Sequence, residues 1–165
     1  MEKIYTAGFD IFYPDAVKRM EENRALCQKY QFEPYFQGPK AAESEAKIDP
    51  LAVDIGKTSA EIIFRKNLKM IEGCDLVAAN LNPFRGEMDC GTAFEIGYAY
   101  ALGKPVYGYM KDVSSLKEKN GGLTDWNGFT VENFGQPINL MIGCSVTIVE
   151  GSLEECLKKI AEDRK

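Results

Sequence analysis

The chain contains no histidine. That absence removes Ser-His-Asp and Cys-His catalysis, histidine zinc sites and histidine acid–base chemistry together. An enzyme built from this chain works with carboxylates, Lys, Tyr, Cys, Ser or Thr. Cysteine is equally unhelpful to a structural-metal or disulfide reading. The five cysteines, at 27, 74, 90, 144 and 156, are odd in number and include no Cys-x-x-Cys pair. Small, reduced, partly buried side chains are expected instead. No apolar run is long enough to span a bilayer, and the opening Met1-Glu2-Lys3-Ile4-Tyr5 lacks a signal-peptide core. An intracellular, cytoplasmic protein is expected. Gly-x-Gly-x-x-Gly and P-loop patterns are missing, so nothing asks for a cofactor or a metal. The net charge of -5 argues against nucleic-acid and anionic-membrane partners, which select for basic patches.

What is present fits one soluble globular domain over residues 1–165, with 45% hydrophobic and 27% charged residues. Residues 3–7 read as a strand. Pro14 and Asp15 open a helix that runs to about Lys29, with Val17, Met20, Leu26 and Cys27 at helical spacing. Residues 32–36 read as a second strand, with Pro34 pointing to an edge. Residues 38–50 read as a surface loop. Residues 55–73 form the clearest amphipathic helix, with Ala60, Ile63, Phe64, Asn67, Met70 and Ile71 on one face and Gly73 as its stop. Residues 76–81 read as a strand, 82–90 as a loop, 91–102 as a helix ended by Gly103, and 105–110 as a strand. Residues 111–136 are long and polar with Trp126 inside. A short helix at 137–142, a strand at 145–149 and a last helix capped by Ser152 complete the pattern. Strands alternating with helices imply an α/β fold: a parallel sheet covered on both faces. In such sheets ligands bind beyond the carboxyl ends of the strands.

The densest chemistry lies in residues 83–98. Asp89 sits just before a predicted helix, and Glu95 about a turn and a half inside it, between Phe94 and Ile96. A carboxylate among apolar neighbours near a helix start can be held ionised by the helix dipole. Two carboxylates at one strand mouth suit glycosidic chemistry, one attacking the anomeric carbon and the other handling the leaving group's proton. The plainer alternatives carry weight. An Asp before a helix is ordinarily an N-cap, and a Glu in the first two turns is ordinarily a dipole partner or a surface residue. Spacing leaves both possibilities open.

The run Asp89-Cys90-Gly91-Thr92-Ala93-Phe94-Glu95-Ile96-Gly97-Tyr98-Ala99, followed by Gly103-Lys104-Pro105-Val106, resembles the nucleoside 2-deoxyribosyltransferases. So do Pro137-Ile138-Asn139-Leu140-Met141, the opening Ile4-Tyr5-Thr6-Ala7-Gly8-Phe9-Asp10, and the helical Asn67. The likeness runs from about residue 3 to 149. It implies a flavodoxin-like, Rossmann-like fold with a five-stranded parallel sheet, and cofactor-free transfer of 2-deoxyribose between nucleobases. By this resemblance Glu95 is the nucleophile, Asp89 the acid facing the departing base, and Tyr5 the tyrosine bonded to the nucleophile. Asn67 lies near the ligand. Asn139 and Met141 complete a neighbouring subunit's site, Asn139 taking the sugar's 5′-hydroxyl. Gly8, Phe9, Asp10 and Phe12 line the base pocket, Gly91 is a substrate-binding residue, and Arg85 stands at the pocket rim. The implied partners are 2′-deoxynucleosides, free purine or pyrimidine bases and further copies of the chain, as a dimer or a hexamer.

Two features depart from the family pattern. The last tyrosine is Tyr109, so a C-terminal tyrosine that orients the nucleophile in some members has no counterpart. The loop at 82–87, with Phe84 and Arg85, is not the acidic loop of bacterial members. Two other functions stay in view. One is hydrolysis of 2′-deoxynucleosides or their 5′-monophosphates, with water replacing the acceptor base. The other is a flavodoxin-like nucleotide-binding or signalling module.

Overall fold

The structure, a computed structural model, describes residues 1–36 and 53–165, with residues 53–59 described by backbone alone. The expected loop at 38–50 lies outside the described residues. Strands β1 (Lys3–Ala7), β2 (Glu33–Pro34), β3 (Leu76–Asn80), β6 (Val106–Met110) and β7 (Thr147–Glu150) build one sheet in the order β2-β1-β3-β6-β7, every pair parallel. Two further strands, β4 (Pro83–Phe84) and β5 (Glu87–Met88), form a separate hairpin. With the hairpin set aside, the order is the flavodoxin-like one, whose ligand crevice opens at the switch point between the first and third strands.

Every residue of β3 and β6 is buried, as expected for central parallel strands covered on both faces. Side chains alternate between the two faces. Tyr5, Ala7, Val77 and Ala79 pack with Ile71 and Ile96, from helices α2 (Val53–Gly73) and α3 (Cys90–Ala101). Ile4, Leu76 and Ala78 pack with Cys27 and Leu157, from α1 (Ala16–Lys29) and α6 (Leu153–Asp163). This alternation, not local propensity, aims Tyr5 at the α2–α3 side. Leu153, Leu157 and Ile160 bury one face of α6, and burial of each side chain contributes roughly 1.5–3 kcal/mol. Ser152 and Glu155 close that helix start as a capping box. Gly108 in β6 is required by space, since a Cβ there would lie 2.4 Å from Leu81 Cδ1.

Several expected elements move. The strand at 32–36 shrinks to two residues, because Pro34 offers no N–H and only β1 flanks it. The supposed loop at 82–90 holds the β4–β5 hairpin, turned by Arg85 and Gly86 at φ 57 and 93. The polar stretch at 111–136 contains a short helix, α4 (Leu116–Lys119), and a bridge between Thr124 and Thr130. The helix near 137–142 begins later, as α5 (Leu140–Gly143) with Asn139 as its N-cap. The last strand shifts to Thr147–Glu150. The apolar face of α2 divides: Ile71 is buried, whereas Ile63 and Phe64 are exposed. Cys27, Cys74 and Cys156 are buried free thiols, and Cys90 and Cys144 are exposed free thiols. Among the described residues no helix is long and apolar enough to cross a membrane.

Candidate active site

Helix α3 begins where it does because Asp89 caps it. The Asp89 backbone is extended, and its Oδ2 accepts from the Thr92 backbone N–H at 2.8 Å and the Thr92 hydroxyl at 2.7 Å. Among the described residues nothing bonds the other oxygen, Oδ1. Gly91 sits within this cap, where a Cβ would come 3.2 Å from Asp89 Oδ2.

Glu95 projects from α3 toward the carboxyl end of β1. The Tyr5 hydroxyl donates to Glu95 Oε1 at 2.6 Å, and Asn67 Nδ2 from α2 donates to the same oxygen at 3.3 Å. Both donors hold one oxygen, and Oε2 is left without a protein donor among the described residues. Glu95 borders a cavity of about 170 Å³ shared with Tyr5, Gly8, Asp10 and Asn67. Burial pushes the Glu95 carboxyl up to about 7, the hydrogen bond from Tyr5 opposes that rise, and the nearby Asp89 charge adds to it. The helix dipole that can hold Glu95 ionised is therefore outweighed by burial, which raises the carboxyl's proton affinity. Glu95 lies past the first turn, where the dipole fades, and desolvation dominates. Burial and the Glu95 charge drive the Tyr5 phenol above its ordinary range, so it stays protonated and donating.

The remaining candidates fall into three places. Gly8, Asp10 and Asn67 line the Glu95 cavity. Phe9, Phe12 and Arg85 do not; they form an adjoining cluster around the hairpin. Phe84 stacks on Phe9 at 4.8 Å and on Phe12 at 5.2 Å between ring centroids, and the Arg85 guanidinium lies 4.7 Å from the Phe84 ring and 5.8 Å from the Phe12 ring. Asn139 and Met141 are the third group, and they are also outside that cavity. Asn139 Oδ1 accepts from the Met141 N–H at 3.0 Å, while its Nδ2 donates to Glu132 at 2.6 Å. Met141 is 72% exposed.

Sequence patterns missed two cavity residues on α1, Met20 and Asn23. Met20 carried a signal, since its helical spacing marked an inward face. Asn23 carried none: a polar side chain on an amphipathic helix reads as solvent-facing until the loop after β1 is seen folded against it. Asn23 Nδ2 donates to Asp10 Oδ2 at 3.2 Å.

A family model described as nucleoside 2-deoxyribosyltransferase matches residues 4–141. The chain is similar to a solved 2-desoxiribosyltransferase from Leishmania mexicana, with 35% identity, 100% of each chain covered and a TM-score of 0.74. A solved 2-deoxyribosyltransferase from Bacillus psychrosaccharolyticus shares the fold at 21% identity and a TM-score of 0.58, with 96% of this chain and 90% of that one covered. An uncharacterized protein of Schizosaccharomyces pombe is 30% identical over 118 residues, which is 70% of this chain. The chain spans about half of that relative's length, 53%.

Proposed function

The chain belongs to the nucleoside 2-deoxyribosyltransferase family, and we propose that it moves 2-deoxyribose from one nucleobase to another through a covalent intermediate on Glu95. In the first displacement Glu95 Oε2 attacks the anomeric carbon and the bond to the base breaks. Asp89 gives its proton to the departing base, which makes the base a better leaving group. A second base then attacks the anomeric carbon as the Asp89 carboxylate takes up its N–H proton, and the ester to Glu95 breaks. Two inversions retain the configuration. The observation that carries this proposal is the asymmetry at Glu95, which borders the cavity: Tyr5 and Asn67 occupy one oxygen and leave the other without a protein donor among the described residues.

The substrates proposed are 2′-deoxynucleosides and free bases. We also propose a homo-oligomer, a dimer or a hexamer, in which Asn139 and Met141 complete a neighbour's site. Support comes from the exposure of Met141, the separation of Asn139 from the Glu95 cavity, and an uncovered apolar face on α2 and α3. Phe64 and Phe94 lie on that face, 48% and 52% exposed, with ring centroids 5.7 Å apart.

Incubating a 2′-deoxynucleoside with a second free base should yield the new 2′-deoxynucleoside. Glu95→Ala should abolish that exchange. Release of free 2-deoxyribose in place of a new nucleoside would favour the hydrolytic alternative.

A further inference from the structure

The polar groups of the Glu95 cavity divide into spent and unspent. Tyr5 and Asn67 each donate to Glu95. Ile11, Met20 and Ile63 supply apolar wall. Asp10, Asn23 and Thr6 remain, and the Thr6 hydroxyl serves as donor or acceptor. A carboxylate only accepts, so the Asn23 amide must turn its nitrogen toward Asp10 Oδ2, as it does at 3.2 Å. That leaves the Asn23 carbonyl oxygen unspent. Arg19 Nη1 pairs with the other oxygen of Asp10 at 3.8 Å, while its Nε bonds Asp15 at 2.9 Å and its guanidinium lies 3.7 Å over the Tyr13 ring, so Oδ2 is the Asp10 oxygen that the arginine leaves to a ligand. A Cβ at Gly8 would lie 3.0 Å from Asn80 Cβ and 3.9 Å from Asp10 Oδ2, so the backbone there runs close to β3 with no side chain beside that oxygen. Beyond Glu95, a ligand in this cavity therefore meets the Asp10 carboxylate, which can only accept, beside the Asn23 carbonyl oxygen.

We infer that Asp10 and Asn23 read the base edge and select nucleobases that carry an exocyclic amino group, adenine and cytosine, over their oxo counterparts, hypoxanthine and uracil. The inference rests on the deoxyribosyl-transfer proposal for what enters the cavity. An amino group presents two N–H donors, which the Asp10 carboxylate and the Asn23 carbonyl can take together. A carbonyl in the same place sets its lone pairs against theirs and leaves those acceptors unpaired in the half-buried cavity wall. Discrimination by hydrogen-bond pairing exceeds what an apolar wall provides, so a preference of roughly tenfold or more is expected.

The test measures binding of the free bases by calorimetry, alongside exchange, in the wild type, Asp10→Asn and Asn23→Leu. The wild type should bind adenine over hypoxanthine and cytosine over uracil by about tenfold or more. Asp10→Asn adds a donor at the reading edge and should narrow both ratios to roughly threefold or less. Asn23→Leu should weaken the amino bases and spare the oxo bases, and it keeps the inference testable if Asp10→Asn does not fold. Equal binding of amino and oxo bases by the wild type would overturn the inference, even with exchange intact. So would loss of all four bases to the same degree in both variants. Selective amino-base binding without any exchange would count against the transfer reaction and leave the base-edge assignment standing.

Discussion

The Tyr5 hydroxyl donates a 2.6 Å hydrogen bond to Glu95 Oε1, joining the first strand to a helix 90 residues later in the chain. The phenol holds the carboxylate in place and opposes the rise that burial imposes on its proton affinity. Tyr5→Phe keeps the ring and removes that bond. Hydrogen bonds to charged groups contribute about 1.5–3 kcal/mol, so kcat/KM for exchange should fall roughly 10- to 100-fold. The acidic limb of the pH profile should also move upward, because the lost bond favoured the ionised form. Tyr5→Phe with an unchanged profile and unchanged rate would remove this role from Tyr5.

The pH profile of the wild type carries its own prediction. Glu95 attacks only when ionised, and burial sets its titration at about 7. Below that pH kcat/KM should fall about tenfold per unit. A profile flat from pH 5 to 8 would mean that Glu95 is ionised throughout or is not the attacking group.

The same shift predicts a stability effect. Between pH 4.5 and about 7 the folded protein keeps a proton on Glu95 that the unfolded chain has lost. The unfolded state binds fewer protons there, so stability falls as pH rises through this window. Glu95→Gln removes the buried charge while retaining an oxygen that Tyr5 can bond. In denaturant titrations the variant should be more stable than wild type by roughly 1–3 kcal/mol at pH 8, with the gain shrinking toward pH 4. A gain of equal size at both pH values would assign it to packing instead of charge.

The apolar face of α2 and α3 gives a prediction about assembly. Phe94 touches the Phe64 ring on one side and lies parallel to the Tyr98 ring at 6.3 Å on the other. Phe94→Glu should lower the mass seen by light scattering to that of a smaller assembly. It should reduce exchange with it, because each site then loses the neighbour's Asn139 and Met141. A fully active monomer would show that one chain is sufficient.

Much of the fold was legible because strand and helix periods were clean. The runs at 76–81 and 105–110 read as strands, and the strands found there, Leu76–Asn80 and Val106–Met110, are buried throughout. Ser152 announced the last helix and forms its capping box. The hairpin was not legible, since Arg85 at φ 57 is a non-glycine residue in a left-handed conformation that sequence does not advertise. At the site, the plainer expectation for Asp89 was met: it is the N-cap of α3, with one oxygen left over. Position along the helix suggested that Glu95 is kept ionised. Its burial, created by contacts with β1 and α2 far away in sequence, raises its proton affinity instead, to about 7. Asn23 was invisible for the same reason: its partner Asp10 lies across a loop, and only the folded chain brings them within 3.2 Å.

The central claim is the covalent deoxyribosyl ester on Glu95, and trapping it tests that claim most directly. The enzyme, mixed with a 2′-deoxynucleoside, quenched in acid and digested, should yield a peptide containing Glu95 that is heavier by one deoxyribosyl group. Added acceptor base should deplete that peptide as the new nucleoside appears, and Glu95→Gln should never form it. Exchange that proceeds with inverted configuration, or that persists in Glu95→Gln, would contradict the account.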